Sequence, residues 1–418
     1  MLDDEDDMTR THVFAISLLL TACPRSSSDT AGEAKAEAEP KAEADAKAEA
    51  KPKIEGEREA DDELVFAVVG DYGEGDANER AVAELVNGWE DITFVVSLGD
   101  NNYGDFDVAT YDERVCGYYP KWAKPAAGES ACTASTNAFY PTPGNHDCHV
   151  ESQGSGATCQ TTGDFYTAYA SFFDWPNKPT GEPSTLRDED MYYSFSKSAG
   201  AVTVQLYAFN ANCAVTDKHG CDENSGSHGC SDDGCAGAYQ RMADRIKQSQ
   251  QASNAAWSLV YFHQTPFSLE GDSPCTGVAA LDFASSDYND ASGRPLSAVL
   301  AGHSHNYQRF TTPANDQVPF FVNGTGGTEL DGCPSSCTMP AGTSSALCYP
   351  SAYPEGGSDP FHGAMKVRAS AEQMTLEYYT VDKGDLVDTC TLTRQDDGSQ
   401  VLSCAGAIDA LATVCTPS

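Results

Sequence analysis

Five short segments, each at or just after the end of an apolar run, constrain this chain more than any other feature. Together they contain aspartate, tyrosine, asparagine and histidine side chains, which donate oxygen and nitrogen to metal ions. Carboxylate and phenolate oxygens suit a hard trivalent ion, and imidazole nitrogens suit a borderline divalent ion. The pattern predicts a two-metal site assembled from residues that are far apart in the sequence. The segments are residues 70–73 (GDYG), 99–103 (GDNNY), 144–147 (GNHD), 260–263 (VYFH) and 302–305 (GHSH).

The first two segments follow a strand–helix–strand pattern. Residues 64–69 and 92–98 are apolar runs, and residues 78–89 between them have helical periodicity. Such a unit favours parallel strands joined by a right-handed crossover. Asp71 and Asp100 are therefore expected beyond the carboxyl ends of neighbouring strands, where α/β sheets bind their ligands.

The five segments resemble those of the purple acid phosphatases, a branch of the calcineurin-like metallophosphoesterase superfamily, over roughly residues 64–385. The wider superfamily opens with an Asp-x-His motif whose histidine is a metal ligand. In this chain Gly73 takes the place of that histidine. Tyr103, three residues after Asp100, is the ligand that the purple enzymes use instead. The loss and the replacement occur together, which points to the subfamily.

The resemblance implies a dinuclear metal centre of Fe(III) and a divalent Zn, Mn or Fe ion. The phenolate of Tyr103 favours the trivalent ion, and the neutral amide of Asn145 keeps the second site divalent. A carboxylate shared by both ions holds them roughly 3.5–4 Å apart. The implied ligands are Asp71, Tyr103 and His305 for the first metal, Asn145, His263 and His303 for the second, and Asp100 for both.

By the same resemblance, the chain is expected to hydrolyse phosphate monoesters through a metal-activated hydroxide. His146 is the expected catalytic residue, which contacts the phosphate and protonates the leaving group. Family members carry a further histidine after the VxxH segment, whereas this chain has none between His263 and Glu270. The pH optimum is therefore expected to differ from the acidic one of the family. The alternatives are a phosphodiesterase or nucleotidase on the same site, and an inactive metal-bearing binding module.

The predicted elements alternate between strand and helix early in the chain and are consecutive strands later. This order fits two mixed sheets, and the resemblance implies the family's four-layer αββα sandwich with helices outside. The long Gly-, Ser- and Asp-rich insertions within it are expected to be stapled by disulfides. Further strands are predicted at residues 138–142, 191–196, 202–209, 257–262, 297–301, 320–323, 364–367, 374–381 and 386–392, and further helices at 164–175 and 237–252; the insertions are residues 104–135, 148–190, 211–236 and 268–293.

The N-terminal region resembles an export signal followed by a tether. Residues 1–23 contain a basic residue and a short apolar run, which is typical of a signal peptide and too short to span a membrane. The ending resembles a bacterial lipobox that would lipidate Cys23; cleavage by ordinary signal peptidase is the alternative. Residues 24–62 alternate Ala, Glu, Lys and Pro without an apolar face, as a solvated tether does. Residues 63–418 are then expected to form one catalytic domain, secreted or held at the periplasm or cell surface.

The charge and the cysteines restrict the partners and the compartment. A net charge of −38 repels nucleic acid and anionic lipid headgroups, so a phosphate ester is the expected partner and a lipid on Cys23 the only membrane contact. Sixteen cysteines favour an oxidising compartment. Zinc sites at Cys333/Cys337 and at Cys221/Cys230/Cys235 are the alternative to disulfides, although histidine partners are lacking.

A Gly-rich segment, residues 324–327, lacks the lysine of a P-loop and so argues against nucleoside triphosphate binding. It overlaps Asn323-Gly324-Thr325, which matches a glycosylation sequon.

Overall fold

The computed structural model describes residues 63–415, except for residues 104–107, 127–129, 149–164, 181–185, 187–189, 212–232, 270–275, 312–317, 334–339, 341–342, 350–360, 382–383 and 406–412. The predicted signal peptide, Cys23 and the tether lie outside the described residues. Residues Arg58–Ser418 form one compact unit. Within the part of the chain that the structure describes, no helix is long and apolar enough to cross a membrane.

Strands and helices alternate in the first half of this unit, and strands dominate the second half. The strands are β1 (Leu64–Val69), β2 (Val95–Ser97), β3 (Phe139–Pro141), β4 (Tyr193–Ala199), β5 (Val202–Ala208), β6 (Trp257–Tyr261), β7 (Ala298–Ala301), β8 (Tyr307–Thr311), β9 (Phe320–Asn323), β10 (Ser345–Tyr349), β11 (Gly363–Ala369), β12 (Gln373–Thr380), β13 (Leu386–Arg394), β14 (Gln400–Ala405) and β15 (Thr413–Cys415). The helices are α1 (Ala77–Gly88), α2 (Val108–Tyr111), α3 (Phe165–Phe172), α4 (Asp233–Ala252) and α5 (Thr276–Ala279).

The strands form two mixed sheets, which confirms the predicted fold class. One sheet has seven strands in the order β14-β13-β12-β11-β1-β2-β3, and the other has eight in the order β15-β10-β8-β9-β7-β6-β5-β4. In the first sheet β1, β2 and β3 are parallel, and the other neighbours are antiparallel. In the second sheet β5, β6, β7 and β9 are parallel. The parallel strands of both sheets carry the five motifs at their carboxyl ends.

Strand β6 shows how the layers pack. Trp257 and Leu259 belong to the core cluster that also contains the strands of the seven-stranded sheet. Val260, on the opposite face, belongs to a second cluster with Met242 and Ile246 of helix α4. A strand buried on both faces reads as a continuous apolar run, because successive side chains point to opposite sides. The sequence of β6 therefore indicates a sheet covered on both faces.

Helix α1 connects the first two motif-bearing strands. Its N-terminus is capped by the Asp76 carboxylate, which accepts hydrogen bonds from the backbone N–H of Asn78 (2.9 Å) and Glu79 (3.0 Å). This cap satisfies two N–H groups that lack helical partners. The helix therefore begins at a fixed position, six residues after Asp71.

The structure differs from the predicted elements mainly in strand length and number. Strands β2 and β3 are only three residues long, although the apolar runs predict longer strands. Four strands, β8, β10, β14 and β15, were not predicted, because their polar and small residues carry little apolar periodicity. The insertion at 104–135 contains α2 and a π-helical turn, Asp112–Cys116.

Three disulfides join cysteines among the described residues: Cys116–Cys132, Cys333–Cys348 and Cys390–Cys404. The bond to Cys348 rules out a zinc site that uses the Cys333 thiolate. Cys337 and the cysteines Cys221 and Cys230 lie outside the described residues.

Candidate metal centre

The predicted ligands lie just beyond the carboxyl ends of five strands from both sheets. This arrangement follows from parallel pairing, because the carboxyl ends of parallel strands meet at one edge. The structure brings all seven predicted ligands together there, together with His146. Asp71 follows β1, Asp100 and Tyr103 follow β2, Asn145 and His146 follow β3, His263 follows β6, and His303 and His305 follow β7.

Three of these ligands have a left-handed backbone. The φ angles are 58° at Asp71, 49° at Asp100 and 74° at His303. Residues with a Cβ rarely adopt this conformation, and each instance costs on the order of 1–3 kcal/mol. Strained residues persist where the surrounding structure fixes them, and they concentrate at functional sites. The strained backbone therefore occurs in the same turns that contain the motifs.

One group of ligands surrounds the Asp71 carboxylate. The Tyr103 hydroxyl lies 3.4 Å from Asp71 Oδ1 and 3.2 Å from His305 Nε2. His305 Nε2 is 3.6 Å from the same carboxylate oxygen. The carboxylate also accepts the backbone N–H of His303, at 3.0 and 3.1 Å. Asp71, Tyr103 and His305 are the three residues that the resemblance implies for the trivalent ion.

A second group surrounds the side-chain oxygen of Asn145. That oxygen is 2.8 Å from His263 Nε2 and 2.9 Å from His303 Nδ1. The two imidazole nitrogens are 3.3 Å apart. These are the three residues that the sequence assigns to the divalent ion.

Asp100 lies between the two groups. Its Oδ2 is 3.3 Å from His263 Nε2, and its Oδ1 accepts the backbone N–H of His146 at 2.8 Å. Among the described residues, Oδ2 has no hydrogen-bond partner although it is fully buried. Ligand atoms of Asp71, Asp100 and His263 lie within 4.8 Å of one another. A buried carboxylate oxygen without a partner, beside further donors, fits a bound cation.

Two histidines are oriented by their outward-facing nitrogens. His263 Nδ1 lies 2.9 Å from the Leu98 carbonyl oxygen, and His305 Nδ1 lies 3.1 Å from the Glu329 carbonyl oxygen. A carbonyl can only accept, so both Nδ1 atoms carry hydrogen. In the neutral form of each ring, Nε2 is then the lone-pair nitrogen, and it faces the carboxylates. Metal-binding histidines are commonly oriented in this way.

The ionisable side chains of the site are buried close together, and this shifts their pKa values. Burial, reinforced by the charge of Asp100, raises the pKa of Asp71 well above its usual value. Burial also raises the pKa of the Tyr103 phenol, and the charges of Asp100 and Asp71 add to that rise. The pKa of His263 rises to about 9, because the attraction of Asp100 and Asp71 outweighs the effect of burial. A phenolate at Tyr103 therefore requires a cation beside it.

Position 73 has no room for a side chain. A Cβ on Gly73 would lie 2.3 Å from the backbone carbon of Asn101 and the backbone nitrogen of Asn102. A histidine could not be placed there without moving the segment that carries Asp100. Tyr103, the ligand predicted in its place, is held beside this position, because its backbone N–H donates to the Gly73 carbonyl oxygen at 3.0 Å.

His146 lies at the mouth of the site. Its ring centroid is 4.4 Å from that of Tyr103, and its side chain is partly exposed. The next residue, Asp147, lies under the site. Asp147 is fully buried and accepts the backbone N–H groups of Gly144 (2.8 Å) and Asn101 (3.1 Å).

The Gly-rich segment after β9 packs beneath the turn that carries Asp71. Gly326 donates its N–H to the Gly70 carbonyl oxygen at 2.9 Å, and Thr328 donates to the Asp71 carbonyl oxygen at 3.1 Å. Asn323 is buried and donates its side-chain amide to the Val68 carbonyl oxygen at 3.2 Å. The segment is thus a structural support, which the sequence pattern alone did not indicate.

Tyr307 and Arg309 link the two sheets. The Tyr307 hydroxyl donates to Asp388 Oδ2 at 2.8 Å, and Arg309 Nε donates to the same oxygen at 3.0 Å. Asp388 lies on β13 of the seven-stranded sheet, whereas Tyr307 and Arg309 lie on β8. These residues therefore fix the strand that follows His305.

A family model, calcineurin-like phosphoesterase, matches residues 64–307, which is more than half of the chain and includes every predicted ligand. Comparison with curated proteins finds no match. Among solved structures, purple acid phosphatase PPD1 from yellow lupin (Lupinus luteus) seeds is 15% identical, with a TM-score of 0.51, covering 80% of this chain and 55% of that one. The structure titled PhoD is 11% identical, with a TM-score of 0.52, covering 83% of this chain and 72% of that one. At these identities the likeness shows the fold alone.

Proposed function

Because the chain belongs to the calcineurin-like phosphoesterase family, we propose that it is a purple acid phosphatase-type enzyme that hydrolyses phosphate monoesters. Membership of the family makes it a phosphoric ester hydrolase that uses a dinuclear metal centre. The proposal of a purple acid phosphatase-type site rests on the position of the Tyr103 hydroxyl, 3.4 Å from Asp71 Oδ1 and 3.2 Å from His305 Nε2. Gly73 supports it, because no histidine ligand fits at that position.

The residues present fit two ions of different character. Asp71, Tyr103 and His305 offer a carboxylate, a phenol and an imidazole, which suit Fe(III). Asn145, His263 and His303 offer one neutral oxygen and two nitrogens, which suit Zn, Mn or Fe(II). Asp100 lies between the groups as the shared ligand. When bound, the two ions lower the pKa of a water molecule and neutralise the charge of the phosphate group.

We assign leaving-group protonation to His146. The backbone N–H of His146 is fixed on Asp100 Oδ1, so this residue follows the position of the shared carboxylate. The Tyr103 ring packs against the imidazole and restricts its rotation. The partly exposed imidazole borders the solvent, from which a substrate enters. An imidazole in this position is suited to donate a proton to the alkoxide oxygen of the leaving group as the bond to phosphorus breaks.

We propose that the enzyme is exported and releases phosphate from esters outside the cytoplasm. The signal-peptide pattern of the N-terminus supports this location, and so do the three disulfides among the described residues. A lipid on Cys23 would hold the enzyme at a membrane surface through the predicted tether.

Phosphodiester or nucleotide hydrolysis on the same site is the second candidate. It is favoured by the sequence after His263, where Gln264 and Thr265 begin a segment, up to Glu270, that lacks the family's additional histidine. Both side chains are buried beside the site-bearing turn. With one proton donor fewer, esters with better leaving groups would react preferentially, at a pH nearer neutral.

The decisive experiment compares initial rates on p-nitrophenyl phosphate and bis-p-nitrophenyl phosphate across pH 4 to 9. A large preference for the monoester supports the phosphatase proposal. A preference for the diester with a neutral or alkaline optimum supports the second candidate. Turnover of neither substrate by metal-loaded protein contradicts both and favours a binding module.

A further inference from the structure

We infer that Tyr111 is a positioning residue for the metal centre and that the Cys116–Cys132 disulfide holds it in place. We name residues 108–119 the strap. It comprises α2, the π-helical turn and the residues up to Tyr119. This inference rests on the metal centre of the proposed function. It concerns residues outside the five motifs.

Asp147 joins the two loops that carry Asp100 and Asn145. Its carboxylate accepts the backbone N–H of Asn101 at 3.1 Å and the Asn101 side-chain amide at 2.8 Å. It also accepts the backbone N–H of Gly144 at 2.8 Å. Asn101 directly follows one predicted ligand, and Gly144 directly precedes another. The position of Asp147 therefore sets the separation of the shared ligand from the divalent site.

Among the described residues, Tyr111 is the donor to Asp147 that comes from outside these loops. Its hydroxyl lies 3.1 Å from Asp147 Oδ1 and is fully buried. The ring stacks on Phe172 with centroids 5.7 Å apart and meets Phe173 edge-on at 5.3 Å. A ring packed on two faces cannot move its hydroxyl without moving the strap. The hydroxyl of this tightly packed ring therefore restricts the position of the Asp147 carboxylate.

The strap is itself closed by a covalent bond. Cys116, at the end of the π-helical turn, is buried and bonded to Cys132. Asp112 at the start of the turn accepts hydrogen bonds from the Ser130 hydroxyl and, at 3.2 Å, from the Ala131 backbone N–H. The disulfide and the two hydrogen bonds attach both ends of the turn to the same short segment. Reduction of the disulfide would free one end.

The strap also touches the loop that follows Asp71. The Arg114 guanidinium lies over Gly75 so closely that a Cβ on Gly75 would overlap Nη1. The strap thus contacts the loop after Asp71 through Arg114 and, through Tyr111, the Asp147 carboxylate that joins the loops of Asp100 and Asn145. Loosening the strap is expected to loosen both metal-binding groups together.

Zinc affinity measures this positioning role directly. In the full-length chain stripped of metal, Tyr111→Phe removes one hydroxyl and keeps the ring, so we expect zinc binding to weaken about tenfold, as it does when residues that orient metal ligands are changed. Tyr207→Phe is the matched control, because its buried hydroxyl donates to Gln250 on α4 at 2.9 Å, in a different core cluster. Zinc affinity should be unchanged in that variant. Equal affinities of Tyr111→Phe and the unchanged chain overturn the inference.

The disulfide is tested by a second matched pair. The double variant Cys116→Ser/Cys132→Ser should also bind zinc about tenfold more weakly, whereas Cys390→Ser/Cys404→Ser should bind it normally. Thermal unfolding of the metal-free variants separates a general loss of stability from a loss of positioning. If both double variants bind zinc more weakly by the same factor, and in proportion to their loss of stability, the inference is overturned. If the unchanged chain itself binds no zinc, the proposed metal centre fails instead.

Discussion

The site loops and the C-terminal hairpin of this protein are built in opposite ways. The site loops, residues 70–73, 99–103, 144–147 and 302–305, place three predicted ligands in left-handed backbone. The C-terminal hairpin, β13 and β14, runs in unbroken antiparallel register from Thr389↔Ala405 to Arg394↔Gln400 and carries the Cys390–Cys404 disulfide. Regular pairing stabilises a chain without orienting chemical groups, whereas strained turns orient them at the expense of stability. Equivalent changes in the two regions should therefore have different consequences.

The largest difference is expected between two buried aspartates. Asp100→Ala removes the residue that lies between both ligand groups, so bound metal and activity should both be lost. Asp388→Ala in the hairpin leaves Arg309 without its carboxylate and should lower the free energy of unfolding by about 3 kcal/mol, while metal content stays normal. Metal analysis and denaturant unfolding of both variants test the comparison. A fully metallated, active Asp100→Ala protein contradicts the shared-ligand assignment.

His146→Ala separates chemistry from metal binding within the site loops. The imidazole is assigned to proton donation and lies outside the ligand groups, so turnover should fall roughly 10²-fold or more at unchanged metal content. Initial rates and metal analysis on the same preparation provide the measurement. Unchanged turnover refutes the role.

Two glycines sharpen the comparison at the level of backbone. A Cβ on Gly302 would lie 2.5 Å from Asp71 Oδ2, whereas a Cβ on Gly88 at the end of α1 meets nothing within 4 Å. Gly302→Ala should therefore destabilise the protein by about 1–3 kcal/mol and weaken metal binding by displacing Asp71. Gly88→Ala should change neither property appreciably. Similar zinc titrations for the two variants would show that the site loops tolerate displacement.

The smallest effect on chemistry is expected at Glu79, which lies behind the site loops on α1. Burial raises the pKa of its carboxyl to about 9. Among the described residues, only one carboxylate oxygen is bonded, to the Gly75 N–H. Between the unfolded pKa near 4.5 and the folded value, the folded state holds an additional proton. Stability should therefore decrease as pH rises through this window, by up to about 1.4 kcal/mol per pH unit. Glu79→Gln should remove that slope, which denaturant unfolding at pH 5 to 9 would show. Zinc titration should show unchanged metal affinity in the same variant.

The sequence predicted the parts of the fold that are strongly apolar. Strands β1, β6 and β9 are buried along their whole length, and their apolar runs mark their ends closely. After its buried first residue, Gln400, strand β14 alternates exposed and half-buried residues and lies at a sheet edge, so its composition resembles that of a loop. Strand β10 contains Ser345 and Cys348 and is stabilised by neighbours that come from distant parts of the chain.

The ligand set was predicted from motifs because each motif is local, whereas its supports are not. Tyr111 and Asp147 are 36 residues apart, and nothing in either segment indicates that a hydroxyl meets a carboxylate. The close approach of Gly73 to the Asn101 backbone is likewise a consequence of packing between two turns. Short-range patterns therefore identify residues that could bind a metal, and the long-range contacts show what holds them.

The burial of Asn323 has a consequence for producing the protein. In a eukaryotic secretory pathway, sugars are attached to Asn-x-Thr sequences while the chain is still emerging, and Asn323-Gly324-Thr325 is such a sequence. The folded chain uses the Asn323 amide for a hydrogen bond to Val68 and leaves no space for a glycan. Glycosylation and folding therefore exclude each other at this residue. Protein secreted in native form from such a host should carry an unmodified Asn323, which peptide mass spectrometry would establish, and Asn323→Gln would test whether the sequon limits the yield.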